Sequence, residues 1–153
     1  MKTIQLTKGK HALVNDEDFE MLNQYKWHAR QSAGKFYASR REKEGRSMIH
    51  MHRQVMRTPV GKETDHIDGD SLNNQRSNLR ICTRAENMCN RDKQSNNKSG
   101  LKGVSLNKNT GKWRAVIQND GRQVHLGLFT SKLAAHEAYT EACIKYHGNF
   151  ARV

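Results

Sequence analysis

The 153-residue chain predicts an α+β fold, and three observations carry that prediction. Short runs of alternating apolar and polar residues are punctuated by glycine-containing turns, as antiparallel strands require. Helix-start signals recur, at Asn15 before DEDFEML and at Thr83 three residues ahead of Glu86. Near the C-terminus SKLAAHEAYTEACIKYHG follows three strand-like runs and reads as one helix. Hydrophobic residues make up 35% of the chain, so any core is limited. The length suits one ordinary domain or two small ones.

Residues 1–57 read as mostly β with some helix. Ile4 and Leu6, then Ala12, Leu13 and Val14, mark short strands. Asn15 caps a helix whose first-turn acids suit its dipole, and Phe19 and Leu22 share one face of it. YKWHAR and KFYASR flank a glycine-containing turn and form a hairpin. MIHMHRQVMR reads as a short helix, or as a strand running into one. Residues 92–99, DKQSNNKS, hold no apolar side chain and read as a linker or basic arm. Beyond them KGVSL, KWRAVIQ and RQVHLGLF are three strands joined by NKNTG and NDG. The closing helix is capped by Ser131 or Thr130 and ends at Gly148. Its Ala135, Ala138, Tyr139, Ala142 and Tyr146 fall on one face, read as core.

Charge narrows the function. The chain carries 27 Lys+Arg against 15 Asp+Glu, a net charge of +12, with a pI near 9.9. Such an excess in a small chain points to nucleic acid. Both halves are basic: 11 Lys+Arg against 4 Asp+Glu in residues 91–153, and 16 against 11 in residues 1–90. Three cysteines, an odd count without CxxC, argue against a disulfide framework and against structural zinc. The N-terminus has no signal-peptide run, and no stretch has the ~20 apolar residues of a membrane span. A cytoplasmic protein without a membrane partner is expected.

Residues 64–91, TDHIDGDSLNNQRSNLRICTRAENMCNR, concentrate the chemistry. Asp65 is a hard oxygen ligand suited to Mg2+ or Mn2+. On a strand His66 points to the opposite side, where an imidazole can serve as general base. Asp68, Gly69 and Asp70 are turn chemistry without the spacing of a calcium loop. A helix starting near Thr83 puts Asn87 about one turn in. A strand–turn–strand unit followed by that helix can gather Asp65, His66 and Asn87. Arg53, Arg80, Arg84 and Arg91 are candidate phosphate partners. Asn73 and Asn74 read as turn residues, Asn90 as a helix-end residue, His50 and His52 as core or hydrogen-bonding histidines, and Cys82 and Cys89 as small apolar groups.

The order Asp65-His66, Asn78 within RSNLR and Asn87 within AENMCNR, led by MHRQVM at 51–56, resembles the HNH nucleases, in the Asn-ending branch seen in phages and mobile elements. The resemblance implies a ββα-metal module. In it Asp65 and Asn87 hold one divalent metal, Mg2+ or Mn2+, and His66 deprotonates the attacking water. Asn78 braces the loop across backbone groups and fixes His66.

Residues 100–153, with GV, GKWRAVIQ, VHLGLF and AAHEAY, resemble the Apetala-two/ERF-type DNA-binding domain. That implies a three-stranded antiparallel sheet packed on one helix, with the sheet in the DNA major groove. Alternation puts Trp113, Ala115 and Ile117, and Val124, Leu126 and Leu128, toward the helix. The outward set is Lys102, Ser105, Asn107, Lys112, Arg114, Val116, Gln118, Gln123 and His125, a face with donors for phosphates and base edges. Lys102, Ser105 and His125 depart from the plant pattern, where Arg, Arg and Trp are usual.

The expectation is therefore a nuclease domain at 1–91 (support region 1–57, ββα-metal motif 64–91), a linker at 92–99, and a DNA-binding domain at 100–153. The whole would be a metal-dependent endonuclease on double-stranded DNA. Phage or mobile-element homing in an infected bacterial host is its expected setting. A DNA-binding regulator with an inactive HNH domain and an RNA-directed nuclease fit the same charge. Monomer and homodimer both remain open.

Overall fold

The computed structural model describes residues 1–42, 47–91, 93, 96–119 and 121–153. Asp120 of the NDG turn, and Asp92, Gln94 and Ser95 of the 92–99 segment, lie outside the described residues. The fold is α+β, and the chain divides into two compact units, Met1–Arg84 and Ala85–Val153.

The first unit opens with β1 (Lys2–Gln5) and β2 (His11–Val14), an antiparallel pair. Helix α1 (Asp16–Asn23) follows Asn15. Asn15 stands at the N-cap, but its side chain makes no capping bond. Its Oδ1 instead accepts from Arg76 N at 2.8 Å. Leu22 is fully buried and Phe19 packs on the same core. β3 (His28–Ser32) and β4 (Lys35–Arg41) form the expected hairpin. Ala33 and Gly34 turn it with φ of 48° and 79°, the two left-handed residues that match the strand twist. MIHMHRQVMR resolves as strand into helix: β5 (Met48–His50) pairs with β4 and runs directly into α2 (Met51–Met56). Arg57 ends α2 in the left-handed region, and Pro59 cannot continue it.

β6 (Glu63–His66) and β7 (Leu79–Cys82) then pair antiparallel, with Asp65 opposite Arg80 and His66 opposite Leu79. Ile4, Leu6, Ala12, Val14, Leu22, Trp27, Ala29, Ala38, Met51, Val55 and Leu79 form one buried cluster, drawn from both sheets and both helices of the N-terminal region and from β7. Trp27 sits at its centre, and its indole N–H donates to Leu22 O at 2.8 Å.

The second unit holds nearly all of α3 (Arg84–Cys89) and then a three-stranded antiparallel sheet. Its strands are β8 (Val104–Asn107), β9 (Lys112–Asn119) and β10 (Arg122–Phe129), in the order β10-β9-β8. Helix α4 (Lys132–His147) packs on them, its N-cap Ser131 accepting from Ala134 N at 3.1 Å. Two expectations are corrected. Leu128 does not face the helix: it is 41% exposed, and Phe129 packs inward in its place. A bulge between His125 and Gly127 adds a residue to β10 and inverts the alternation beyond it. Tyr146 is likewise exposed; the buried stripe of α4 is Ala135, Tyr139, Ala142 and Cys143. At 100° per residue Tyr146 still points along this stripe, so its exposure comes from its place in the last turn and not from its direction.

At Gly103, just before β8, Tyr139 of α4 packs directly against the backbone. A Cβ there would stand 2.1 Å from the Tyr139 ring and 2.7 Å from Val116 O, at a φ of +70°. Only glycine satisfies both the conformation and the space.

Candidate active site and nucleic-acid face

Asp65 and His66 are consecutive on β6, so their side chains leave opposite faces of the strand. Asp65 is 7% exposed and meets Arg80, its cross-strand partner. Arg80 Nε and Nη2 donate to Asp65 Oδ2 at 2.8 and 2.6 Å.

His66 is equally buried and stands in a ring of aromatic groups. His52 lies edge-on at 5.0 Å and Tyr37 at 6.3 Å, while His50 stacks on His52 at 5.4 Å. The Nδ1 atoms of both His50 and His52 are buried without a hydrogen-bond partner. Burial is the main force on these imidazoles. It pushes His52 down to about 3, helped by His66, His50 and Arg53. It also lowers His50, with Arg30 and Arg53. It lowers His66 too, against the pull of Asn74 and of the Asp65, Asp68 and Asp70 carboxylates. A lowered value keeps His66 neutral near pH 7, the state a general base requires.

The loop from Ile67 to Asn78 carries this pair, and Asn78 spans it. Its Oδ1 accepts from Asp68 N at 3.0 Å, and its Nδ2 donates to Asp68 Oδ1 and Asn73 O, both at 2.9 Å. Ile67 N donates to Asn78 O at 2.9 Å. Partial burial would raise the Asp68 carboxyl, yet bonds from Asn73, the Asp70 amide and Asn78 outweigh it and hold Asp68 low.

The N-terminal region pins the same loop from outside. Leu13 N donates to Leu72 O at 2.9 Å, and Asn74 N to Leu13 O at 2.8 Å. Ser71 Oγ donates to Phe36 O at 2.6 Å, and Lys35 Nζ to Gly69 O at 3.0 Å. Arg76 grips both oxygens of the buried Asp18, at 2.9 and 2.7 Å. Residues 1–57 therefore form the chassis of the site loop.

Asn74 was read from sequence as a turn residue, and the structure gives it a closer part. It is fully buried, with Oδ1 3.5 Å from His66 Nε2. No spacing rule marks it: its burial beside His66 alone singles it out. His52, read as a core or hydrogen-bonding histidine, is buried as expected and lies edge-on to His66. Of the candidate arginines, Arg80 is held by Asp65, and Arg53 donates to Lys62 O at 2.8 Å and Pro59 O at 3.4 Å. Arg84 and Arg91 are exposed. Asn87 is half-buried on α3, whose chain crosses from the first unit to the second at Arg84/Ala85.

Among the described residues no group of three or more His, Cys, Asp and Glu converges as a metal cage. The donors present fit a hard cation held by few protein ligands. Mg2+ commonly takes one or two carboxylates and completes its shell with water and substrate phosphates. Asp65 is such a carboxylate, and Arg80 donates two hydrogen bonds to its Oδ2.

In the second unit the outward row of the sheet is Ser105 opposite Arg114 opposite Leu128. Val116 pairs with His125, Gln118 with Gln123, and Asn107 with Lys112. This face carries Lys112 and Arg114 and no carboxylate among its described residues. The acids Glu137 and Glu141 stand on α4. Lys102 is half-buried and donates to Cys89 O and Arg152 O at 3.0 and 2.7 Å.

Residues 57–89 match the family profile described as HNH endonuclease. Protein 3.8 of Escherichia phage T7 is 42% identical over 65 residues, 42% of this chain and 54% of that protein. The chain thus spans about half the length of that phage relative. An uncharacterized HNH endonuclease, L560, of Acanthamoeba polyphaga mimivirus is 26% identical over 148 residues, 94% of this chain and 74% of that protein. APETALA2-like protein 2 of Oryza sativa subsp. indica is 42% identical over 50 residues, 33% of this chain and 12% of that protein. No solved structure matches. The chain thus has a segment similar to HNH endonucleases and a partial Apetala-two-like similarity.

Proposed function

We propose that this chain, bearing an HNH segment at 57–89, is a metal-dependent endonuclease of double-stranded DNA. The observation that carries the reading is the buried Asp65-His66 pair, presented by a strand and by a loop that Asn78 ties together. His66 acts as general base on the attacking water. Its lowered pKa supports this role, because the ring is ready to accept a proton at neutral pH. Asn74, at the Nε2 side of the ring, orients it. Asn78 contacts loop groups and so acts by positioning. Asp65 and Asn87 are the protein ligands of one divalent cation, Mg2+ or Mn2+. That cation, when bound, supplies Lewis acidity at the phosphate and stabilises the leaving oxygen.

The C-terminal sheet positions the nuclease on DNA. Lys102, Ser105, Asn107, Lys112, Arg114, Gln118, Gln123 and His125 are the proposed contacts, with Lys112 and Arg114 supplying the charge. Both modules on one chain raise effective affinity without a large interface. A homing-type endonuclease of a phage or mobile element, acting in the cytoplasm of the host, is the proposed setting. The phage and giant-virus relatives support it.

One observation favours a second reading. Arg80 neutralises Asp65, as would suit a DNA-binding protein whose HNH domain no longer cuts. A supercoiled-plasmid assay with Mg2+, with and without EDTA, separates the two. Nicking that EDTA abolishes, and that Asp65→Ala and His66→Ala lose while DNA binding persists, supports the nuclease. Binding without nicking in the parent chain supports the regulator. Equal cutting by His66→Ala and the parent would overturn the assignment of the base.

A further inference from the structure

The bulge in β10 has a chemical consequence on the outward face. By simple alternation a leucine at 128 belongs in the core. Gly127, at φ +141°, lies where a Cβ would meet the Phe129 ring at 3.1 Å. That ring packs inward, on the cluster of Val104, Ala115 and Ala135. Leu128 is thereby turned outward, directly across from Arg114, which is itself across from Ser105. A γ-branched apolar side chain, 41% exposed, stands between polar and cationic neighbours on a face whose described residues include no acid. Val116, half-buried and one pair further along, extends the apolar strip toward His125.

The charge distribution selects the occupant. In this unit Glu137 and Glu141 are on the helix, whereas Lys112 and Arg114 are on the sheet. A polyanion meets attraction on the sheet side. On duplex DNA the apolar feature of a major-groove edge is the C5-methyl of thymine, and a leucine is a shape-matched partner for it. An arginine alongside is the usual partner of guanine O6 and N7. Adjacent strands are about 4.8 Å apart, so Leu128 and Arg114 reach bases within about two steps of about 3.4 Å each.

We propose that Leu128 is a specificity-determining contact, reading the methyl group of a thymine within about two base pairs of a guanine read by Arg114. It rests on the duplex-DNA reading given above. Serine, asparagine or glutamine at 128 would be equally soluble on this face but would leave the methyl exposed to water. The leucine therefore adds discrimination on a face whose other exposed groups are mainly hydrogen-bond donors and acceptors.

The test uses the full chain in EDTA, so that no duplex is cut. A randomised 30-base-pair duplex library is enriched on the protein. In the best duplex each thymine is then replaced singly by deoxyuridine, which removes one methyl and nothing else. Fluorescence anisotropy measures the affinity of each duplex for the parent, Leu128→Ser, Leu128→Gln and Leu128→Met. At one thymine the parent should lose about threefold to fivefold, the factor for one methyl left in water. Leu128→Ser and Leu128→Gln should bind both versions equally there, and Leu128→Met should keep the difference. Circular dichroism confirms that each variant is folded. Methyl sensitivity that survives in both polar variants, or its absence from every thymine, overturns the role of Leu128. Failure of the chain to bind any duplex at low salt overturns the DNA reading itself.

Discussion

His52 sets a pH limit on the stability of the first unit. Its imidazole is 9% exposed and held at about 3, against an ordinary value of 6.5. The unfolded chain therefore takes up a proton below about pH 6.5, while folded His52 does not until near pH 3. Proton uptake by the unfolded state alone favours unfolding, so the contribution is intact above pH 6.5 and is lost as the pH falls. Each unit of difference is worth about 1.4 kcal/mol. Between pH 7.5 and 4.5 the loss from His52 is thus about 2–3 kcal/mol. Any folded value below 4 gives the same answer. The perturbation is His52→Phe, which keeps an aromatic ring against His50 and His66 and removes the titration. Urea unfolding is followed by Trp27 fluorescence in a Trp113→Phe background, at steps from pH 7.5 to 4.5. The stability of the parent relative to His52→Phe should fall by about 2–3 kcal/mol across that range. Any packing cost of the phenylalanine is a constant offset and leaves the slope untouched. His50 and His66, also lowered by burial, titrate in both proteins and largely cancel. A difference flat to within about 0.5 kcal/mol would refute the claim that this ring is held neutral by burial.

Three further outcomes follow from named contacts. Arg76→Ala strands the buried Asp18 carboxylate and should cost about 2 kcal/mol in urea unfolding, with slower plasmid nicking because the loop loses an anchor; unchanged stability would mean that the pair is ornamental. Arg80→Gln removes the competitor for Asp65, so the Mg2+ concentration at half-maximal nicking should fall several-fold; a rise would mean that Arg80 helps to build the cation site instead. Gly103→Ala drives a methyl into Tyr139 at a left-handed φ and should destabilise the second unit by about 2–5 kcal/mol, read from Trp113 fluorescence in a Trp27→Phe background.

Much of the molecule follows from local chemistry. Turn residues and alternation announce the hairpin at residues 28–41 and the strands β8 to β10. The run MIHMHRQVMR shows both a strand and a helix because it contains both. The order of Asp65, His66, Asn78 and Asn87 resembles that of the HNH class, and residues 57–89 match that family's profile. Net charge selects a polyanion, and alternation along β9 assigns the inward Trp113, Ala115 and Ile117 correctly.

Long-range packing decides the rest. Asn74 and His52 gain their parts only when β2, α2 and the loop bury them beside His66; each amide or imidazole is ordinary in its own neighbourhood. Asn15 looks like a helix cap until Arg76, 61 residues away, takes its side-chain oxygen. The pairing of Asp65 with Arg80 exists because two strands set them opposite each other, which no spacing along the chain expresses. Leu128 is the sharpest case. The amino-acid sequence determines that β10 is a strand rich in apolar residues, but a period of two tells inside from outside only while the ladder is unbroken. The bulge at Gly127 depends on how Phe129 packs against residues of β8, β9 and α4, so only the tertiary structure decides that this leucine faces outward.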